Sequence, residues 1–140
     1  MKLSNILVIS GKSGLSELVS QTKSGAIVRN LETNLKSPVF KNDRISSLGE
    51  IRIFTIEDDI LLSDVFQKIY DHLQAQPVSF DPKKAENSEL FELFGTVLPN
   101  YDKDRVHASD VRKVFSWYNI LLAAGKLVED EPSETESNNE

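Results

Sequence analysis

The spacing of apolar positions changes once along the chain, near residue 57. Before it, apolar residues come in short, β-branched runs. Ile6-Leu7-Val8-Ile9 is one, and the short stretch Leu3 to Gly11 around it fits a strand or one to two helical turns. Leu15 to Thr22 mixes apolar and polar positions, Lys23-Ser24-Gly25 is a turn signal, and Ala26 to Leu31 is compact and β-branched, so together they predict a hairpin. Pro38-Val39-Phe40-Lys41 reads as a short strand with proline first, where it costs no ladder bond. Ile51 to Ile56 is a further strand, and Asn42 to Glu50 a connection with room for one helical turn. About four short strands at close spacing predict a small antiparallel β-sheet or an SH3-like barrel, since closure would protect the edges.

After the acidic turn Glu57-Asp58-Asp59 the period becomes helical. Ser63 is a good N-cap and Asp64 suits a first turn; Val65, Phe66, Ile69 and Leu73 then recur at helical spacing, predicting a helix over 63–74. Pro77 and Pro82 bracket a loop that reads as polar. Asn87 or Ser88 caps a second helix through Leu98, which Pro99 stops. Ser109 caps the longest helix, with a wide stripe of Val111, Val114, Phe115, Tyr118, Leu121 and Leu122 and Gly125 at its C-terminal end. The fold class is therefore α+β, an N-terminal small sheet or barrel (1–57) packed on a C-terminal three-helix unit (58–128). Residues 129–140 have nothing to bury and read as a disordered acidic tail. A barrel of about 55 residues is marginal alone, so the two halves are expected to share an interface.

Composition removes several classes of function. The chain has 140 residues, 39% apolar, and no cysteine, which rules out a disulfide framework, a cysteine nucleophile and thiolate metal sites. No run approaches the ~18 apolar residues of a membrane span, and the first residues lack the apolar core of an export signal, so the expectation is a cytoplasmic protein with no membrane partner. The net charge of −6 belongs to the tail, which holds six acids and no base. Residues 1–55 carry eight bases and four acids, and residues 56–128 eight bases and twelve acids, so the halves are opposite in sign.

Each motif that hints at chemistry fails at a named position. Ser10-Gly11-Lys12-Ser13 resembles the end of a phosphate loop, but the glycine required five residues before Gly11 is Ile6. Asp102-Lys103-Asp104 hints at a calcium loop, but the required glycine is His107 and the bidentate glutamate is Lys113. The two histidines, His72 and His107, lie in different elements without a metal-binding spacing, and there is no Gly-x-Ser-x-Gly elbow. The sequence offers no catalytic residue, no cofactor site and no metal site. Two surfaces remain as candidates. Lys12, Lys23, Arg29, Lys41, Arg44 and Arg52 populate the β half and would form an anion or nucleic-acid surface, although Phe40 and Phe54 are its only aromatic partners. Tyr101, Arg105 and Trp117 would form a partner surface, with Trp117 at the edge of its helix's apolar stripe beside the Tyr101–Arg105 turn.

Several stretches together resemble an uncharacterised protein family of Bacteroidetes bacteria: Leu3 to Lys12 running into Gly14-Leu15, Leu18 to Thr22, Val65 to Tyr70, Leu98 to Val106, and Ser116 to Leu121. The likeness runs from residue 1 to about 127. It implies a domain of unknown function with a small β-structured part followed by helices, and it supplies no activity, cofactor or site residue. The leading reading is a non-enzymatic module of the bacterial cytoplasm that binds another protein. The alternatives are a nucleic-acid-binding barrel and, more weakly, an enzyme with an unfamiliar site.

Overall fold

The short apolar runs of the first half all become strands. The computed structural model describes residues 3–11, 14–40 and 42–127; Lys12, Lys41 and the acidic tail lie outside the described residues. Ile6–Ile9 (β1), Ser16–Thr22 (β2), Gly25–Asn30 (β3), Lys36–Phe40 (β4) and Ile45–Ser47 (β5) form one antiparallel sheet in the order β4-β3-β2-β1-β5. The predicted hairpin is β2 and β3, joined by Lys23-Ser24 with Thr22 opposite Gly25. The connection before residue 51 carries β5 and one 3-10 turn, Leu48–Glu50.

This sheet is open, which corrects the barrel expectation. Phe40 and Ile45 lie on the two edge strands yet are five positions apart, a span of at most about 18 Å. A flat five-stranded sheet would separate its edges by roughly 19 Å. A tight turn shortens the reach further, with the Phe40 N–H donating to the Asp43 carboxylate at 2.8 Å and the Asp43 N–H to the Phe40 carbonyl at 2.9 Å. The sheet must therefore curl, and a register shift between Leu18 and Ser20 adds the extra residue that bends β2. Ile9, Val28 and Val39 are buried on the concave face, with Leu7 and Ala26 against them. Closure stops there, because β5 is only three residues long and all three pair with β1. Pro38 also differs from expectation. It sits in the middle of β4 rather than at its start, and an edge strand tolerates it there.

The predicted strand over 51–56 contributes only Arg52–Ile53 (β6) to a ladder. It pairs with Ile60–Leu61 (β7), and a single bridge, Thr55 to Tyr101, continues it. The Thr55 hydroxyl donates to the Asp58 carbonyl and closes the acidic turn.

Three helices follow: Leu62–His72 (α1), Asn87–Val97 (α2) and Ala108–Ala123 (α3). Their stripes were legible, but their caps were not. Because β7 runs directly into α1, Leu61 holds the N-cap position and Ser63 falls inside the helix. Glu86 precedes α2 in the same way. At α3 the N-cap is His107, whose N–H donates to the Asp110 carboxylate at 3.0 Å, so Ser109 is again inside. Gly125 has φ +73°, the left-handed conformation expected just past a helix end.

The main core joins both halves. Leu3, Ile6, Leu15, Leu31 and Leu48 from the sheet region are buried in one cluster with Phe66, Leu90, Phe94, Phe115 and Tyr118 from the helices. Residues two apart on a strand share a face, so Ile6 and Leu15 look toward the helices while Leu7 and Ile9 fill the concave side. The loop between α1 and α2 is less polar in place than in sequence. Val78 and Ala85 are buried, and Phe80 packs edge-on against Phe115 at 5.9 Å.

Helix α3 also pins that loop through polar groups. The Tyr118 hydroxyl donates to the Gln76 carbonyl at 2.8 Å, and the Val78 N–H donates to Asn119 Oδ1 at 3.0 Å. Burial, with Tyr70 adding to it, pushes the Tyr118 phenol up to about 12. A raised phenol pKa means the neutral form is favoured by folding. That contribution is complete below the ordinary value near 10 and is lost as pH rises through about 12. Tyr118→Phe is expected to lose about 1 kcal/mol at neutral pH and to lose its stability less steeply between pH 10 and 12. Melting temperatures across that range test this, and equal alkaline slopes in both proteins would contradict it.

Candidate functional site

An apolar groove of about 200 Å³ lies between β6 and the first half of α3. The alternation Arg52, Ile53, Phe54, Thr55, Ile56 sends Ile53 and Thr55 inward and the other three outward. Ile53, Leu62, Val106 and Val114 form the buried floor, and Phe54 and Trp117 the more open walls. Phe54 is 39% exposed and Ile56, the next outward position, 72%. The segment carrying them is fixed by backbone bonds, since Asp102 N–H donates to the Phe54 carbonyl at 3.0 Å and Ile56 N–H to the Asn100 carbonyl at 2.9 Å.

The three residues of the expected partner surface separate here. Trp117 is half-buried and lines the groove. Arg105 lies over the Phe54 ring, 4.2 Å from its centroid, and its Nε donates to the Asp102 carboxylate at 2.8 Å. That hydrogen bond, with the Asp104 N–H adding to it, holds the Asp102 carboxyl below its ordinary range. Tyr101 is instead buried, stacked on Phe91 at 6.0 Å and edge-on to Phe94 at 5.1 Å. Phe54 and Ile56 were not singled out as partner residues. The signal for them was the alternation itself, but a run as apolar as Ile51 to Ile56 does not say which of its faces is covered.

The described basic residues are spread over several elements. Lys23 is exposed in the β2–β3 turn, Arg44 is exposed before β5, and Arg52 is exposed on the second sheet. Arg29 is tied to the neighbouring strand β2. Its Nη2 meets Glu17 Oε1 at 2.5 Å, while Lys126 Nζ meets Oε2 of the same carboxylate at 2.7 Å. The bond from Lys126, with Arg29 adding to it, holds the Glu17 carboxyl below its ordinary range and joins β2 to the chain just past α3.

Two of the larger clefts have a different character. One, of about 620 Å³, lies over Arg29, Glu32 and Lys126, whose two cations are already shared by Glu17. The other, of about 510 Å³, follows the acidic turn Glu57-Asp58-Asp59 with Asp64 beside it. Among the described residues, no group of three or more His, Cys, Asp or Glu side chains is placed to hold a metal ion. No described helix is long and apolar enough to cross a membrane.

An open, curled antiparallel sheet sharing its core with three helices defines the class, a mixed α+β fold. Within it, the chain belongs to the family described as a domain of unknown function (DUF6852), whose model matches residues 51–121. Residues 3–48 match a second domain of unknown function (DUF5606). A solution NMR structure from Bacteroides vulgatus, a structural-genomics target, is similar at 39% identity and a TM-score of 0.73, covering 89% of this chain and 88% of that one. The family resemblance read from the sequence is thereby shown. No curated protein matches the chain.

Proposed function

We propose that this chain is a non-enzymatic protein-interaction module of the bacterial cytoplasm, docking its partner at the groove between β6 and α3. The observation that carries this reading is Phe54, exposed on the groove wall beside the half-buried Trp117 and held on a hydrogen-bonded segment, with Ile56 the next outward position along that segment. Aromatic side chains fixed beside a small apolar recess are among the anchors on which binding energy concentrates. The cysteine-free composition supports the compartment, because small exported domains lean on disulfides. The nucleic-acid reading draws less support. Arg29 is bound to Glu17, and Arg52 sits on a different sheet from Lys23 and its β-hairpin.

A photo-crosslinking residue, p-benzoylphenylalanine, placed at position 56 tests the proposal in cells of the native host. The control is the same residue at position 35, because Leu35 is as exposed, at 70%, and lies in the β3–β4 turn, outside the groove's lining. A discrete adduct is expected at position 56 and not at 35, and it should fade when Phe54→Ser is added. The same adduct pattern at both positions, or none at 56, overturns the reading.

A further inference from the structure

We propose that the groove between β6 and α3 takes an acidic peptide segment, which seats one apolar side chain between Phe54 and Trp117 and sets its carboxylates against Arg52 and Lys113. This rests on the interaction reading above and adds the chemistry of the partner. Size argues first. At about 200 Å³ the groove falls below the roughly 300–1,000 Å³ of small-molecule sites. It has room for a side chain and its neighbours rather than for a cofactor.

Charge then selects the flanks of that side chain. Arg52 on β6 and Lys113 on α3 line opposite walls, both exposed, and neither side chain has an ion pair or hydrogen bond among the described residues. The groove's one carboxylate, Asp110, is engaged with the His107 N–H at the start of α3. Arg105 adds a guanidinium over Phe54, partly balanced by Asp102. In the groove's own lining two cations on opposite walls, Arg52 and Lys113, stand against the one carboxylate, which keeps its charge, and Arg52 also borders the cleft of Glu57, Asp58, Asp59 and Asp64. A segment bearing carboxylates on either side of an apolar residue meets a cation on each wall, whereas a lysine-rich segment meets two like charges. A stacking nucleobase is less well served, because Arg105 already covers one face of Phe54.

Trp117 is the only tryptophan in the chain, so its emission reports on the groove directly. The full chain is titrated with the peptide Ac-Asp-Glu-Leu-Phe-Glu-Asp-NH2, with its counterpart in which lysine replaces every acid, and with a version in which Gly-Ser replaces Leu-Phe. A ten-residue oligothymidylate is the fourth arm. The acidic apolar peptide is expected to shift the emission and to bind at least about tenfold more tightly than the lysine version, with the difference shrinking as salt rises. Arg52→Glu with Lys113→Glu should reverse the preference while the melting temperature stays within a degree or two, both side chains being exposed. Lys113→Gln alone should weaken the preference without reversing it. Equal responses to the acidic and basic peptides, no response to either, a preference untouched by the charge reversal, or an oligothymidylate response as strong as the peptide's would each overturn the inference. An adduct at position 56 alongside any of these results leaves the interaction reading intact and removes only the acidic partner. Loss of that adduct removes both.

Discussion

Phe115→Ala is expected to cost about 3–5 kcal/mol, the range for emptying a buried aromatic site. Phe115 is fully buried and meets two other rings edge-on, Phe80 at 5.9 Å and Phe94 at 6.2 Å. Alanine would strip both contacts and leave a void between α2, α3 and the loop after α1. Against the roughly 5–15 kcal/mol that holds a typical domain folded, this is a large fraction. The loss should not stay local. Leu15, Leu31 and Leu48 from the sheet region belong to the same buried cluster as Phe115, so sheet and helices are expected to melt together. Urea unfolding followed by far-ultraviolet circular dichroism and by Trp117 fluorescence checks both points. The midpoint should fall sharply, and the two probes should coincide. A sheet signal that outlasts the tryptophan transition would show that the sheet stands independently of the helices.

Gly25→Ala should cost about 2–4 kcal/mol, placing it among the large backbone effects of single substitutions. This glycine is not needed for a positive φ. Its role is to let β4 approach. A Cβ at position 25 would lie 1.9 Å from the Val39 carbonyl oxygen and 2.9 Å from the Phe40 Cα, and both obstacles are backbone atoms that no rotamer change can move. β4 would have to shift, which pulls Val39 away from Ile9 and Val28 and opens the concave cluster. Hydrogen exchange should show amides of β4 losing protection before those of α3. A variant that melts with the parent and keeps β4 protected would refute the clash.

These two sites mark where the sequence was readable and where it was not. The helical stripes identified α1, α2 and α3 to within about two residues, because a buried face imposes its period on the residues that form it. Phe115 was legible in that way. The caps at Ser63 and Ser109 were misplaced because capping depends on how the chain enters a helix, and here β7 and the Asp110 carboxylate decide that entry. Gly25 was legible as part of a turn, but its closeness to Val39 depends on β4, fourteen positions on. Closure of the sheet was equally out of reach, since it depends on whether β4 and β5 meet and neither strand's own pattern records that. The position of Trp117 at the edge of its stripe and of Arg105 in a charged turn was legible because both are local signals. Tyr101 was misjudged because the bridge to Thr55 and the ring stack on Phe91 are contacts across the fold. Phe54 faces outward because Thr55 faces inward, and the bridge that holds Thr55 there is to Tyr101, far along the chain.

The unclosed sheet also has a bearing on how the molecule behaves at high concentration. A sheet with two free edges is in principle a template on which other chains can add strands. One edge here, β4, carries Pro38 at its centre, and proline has no N–H with which to receive an incoming strand. The other, β5, offers only three residues, Ile45–Ser47, too short to nucleate a lasting addition. The curl turns both edges toward each other rather than outward. Openness in this fold is therefore paired with two blunted edges, the means by which β proteins limit strand addition.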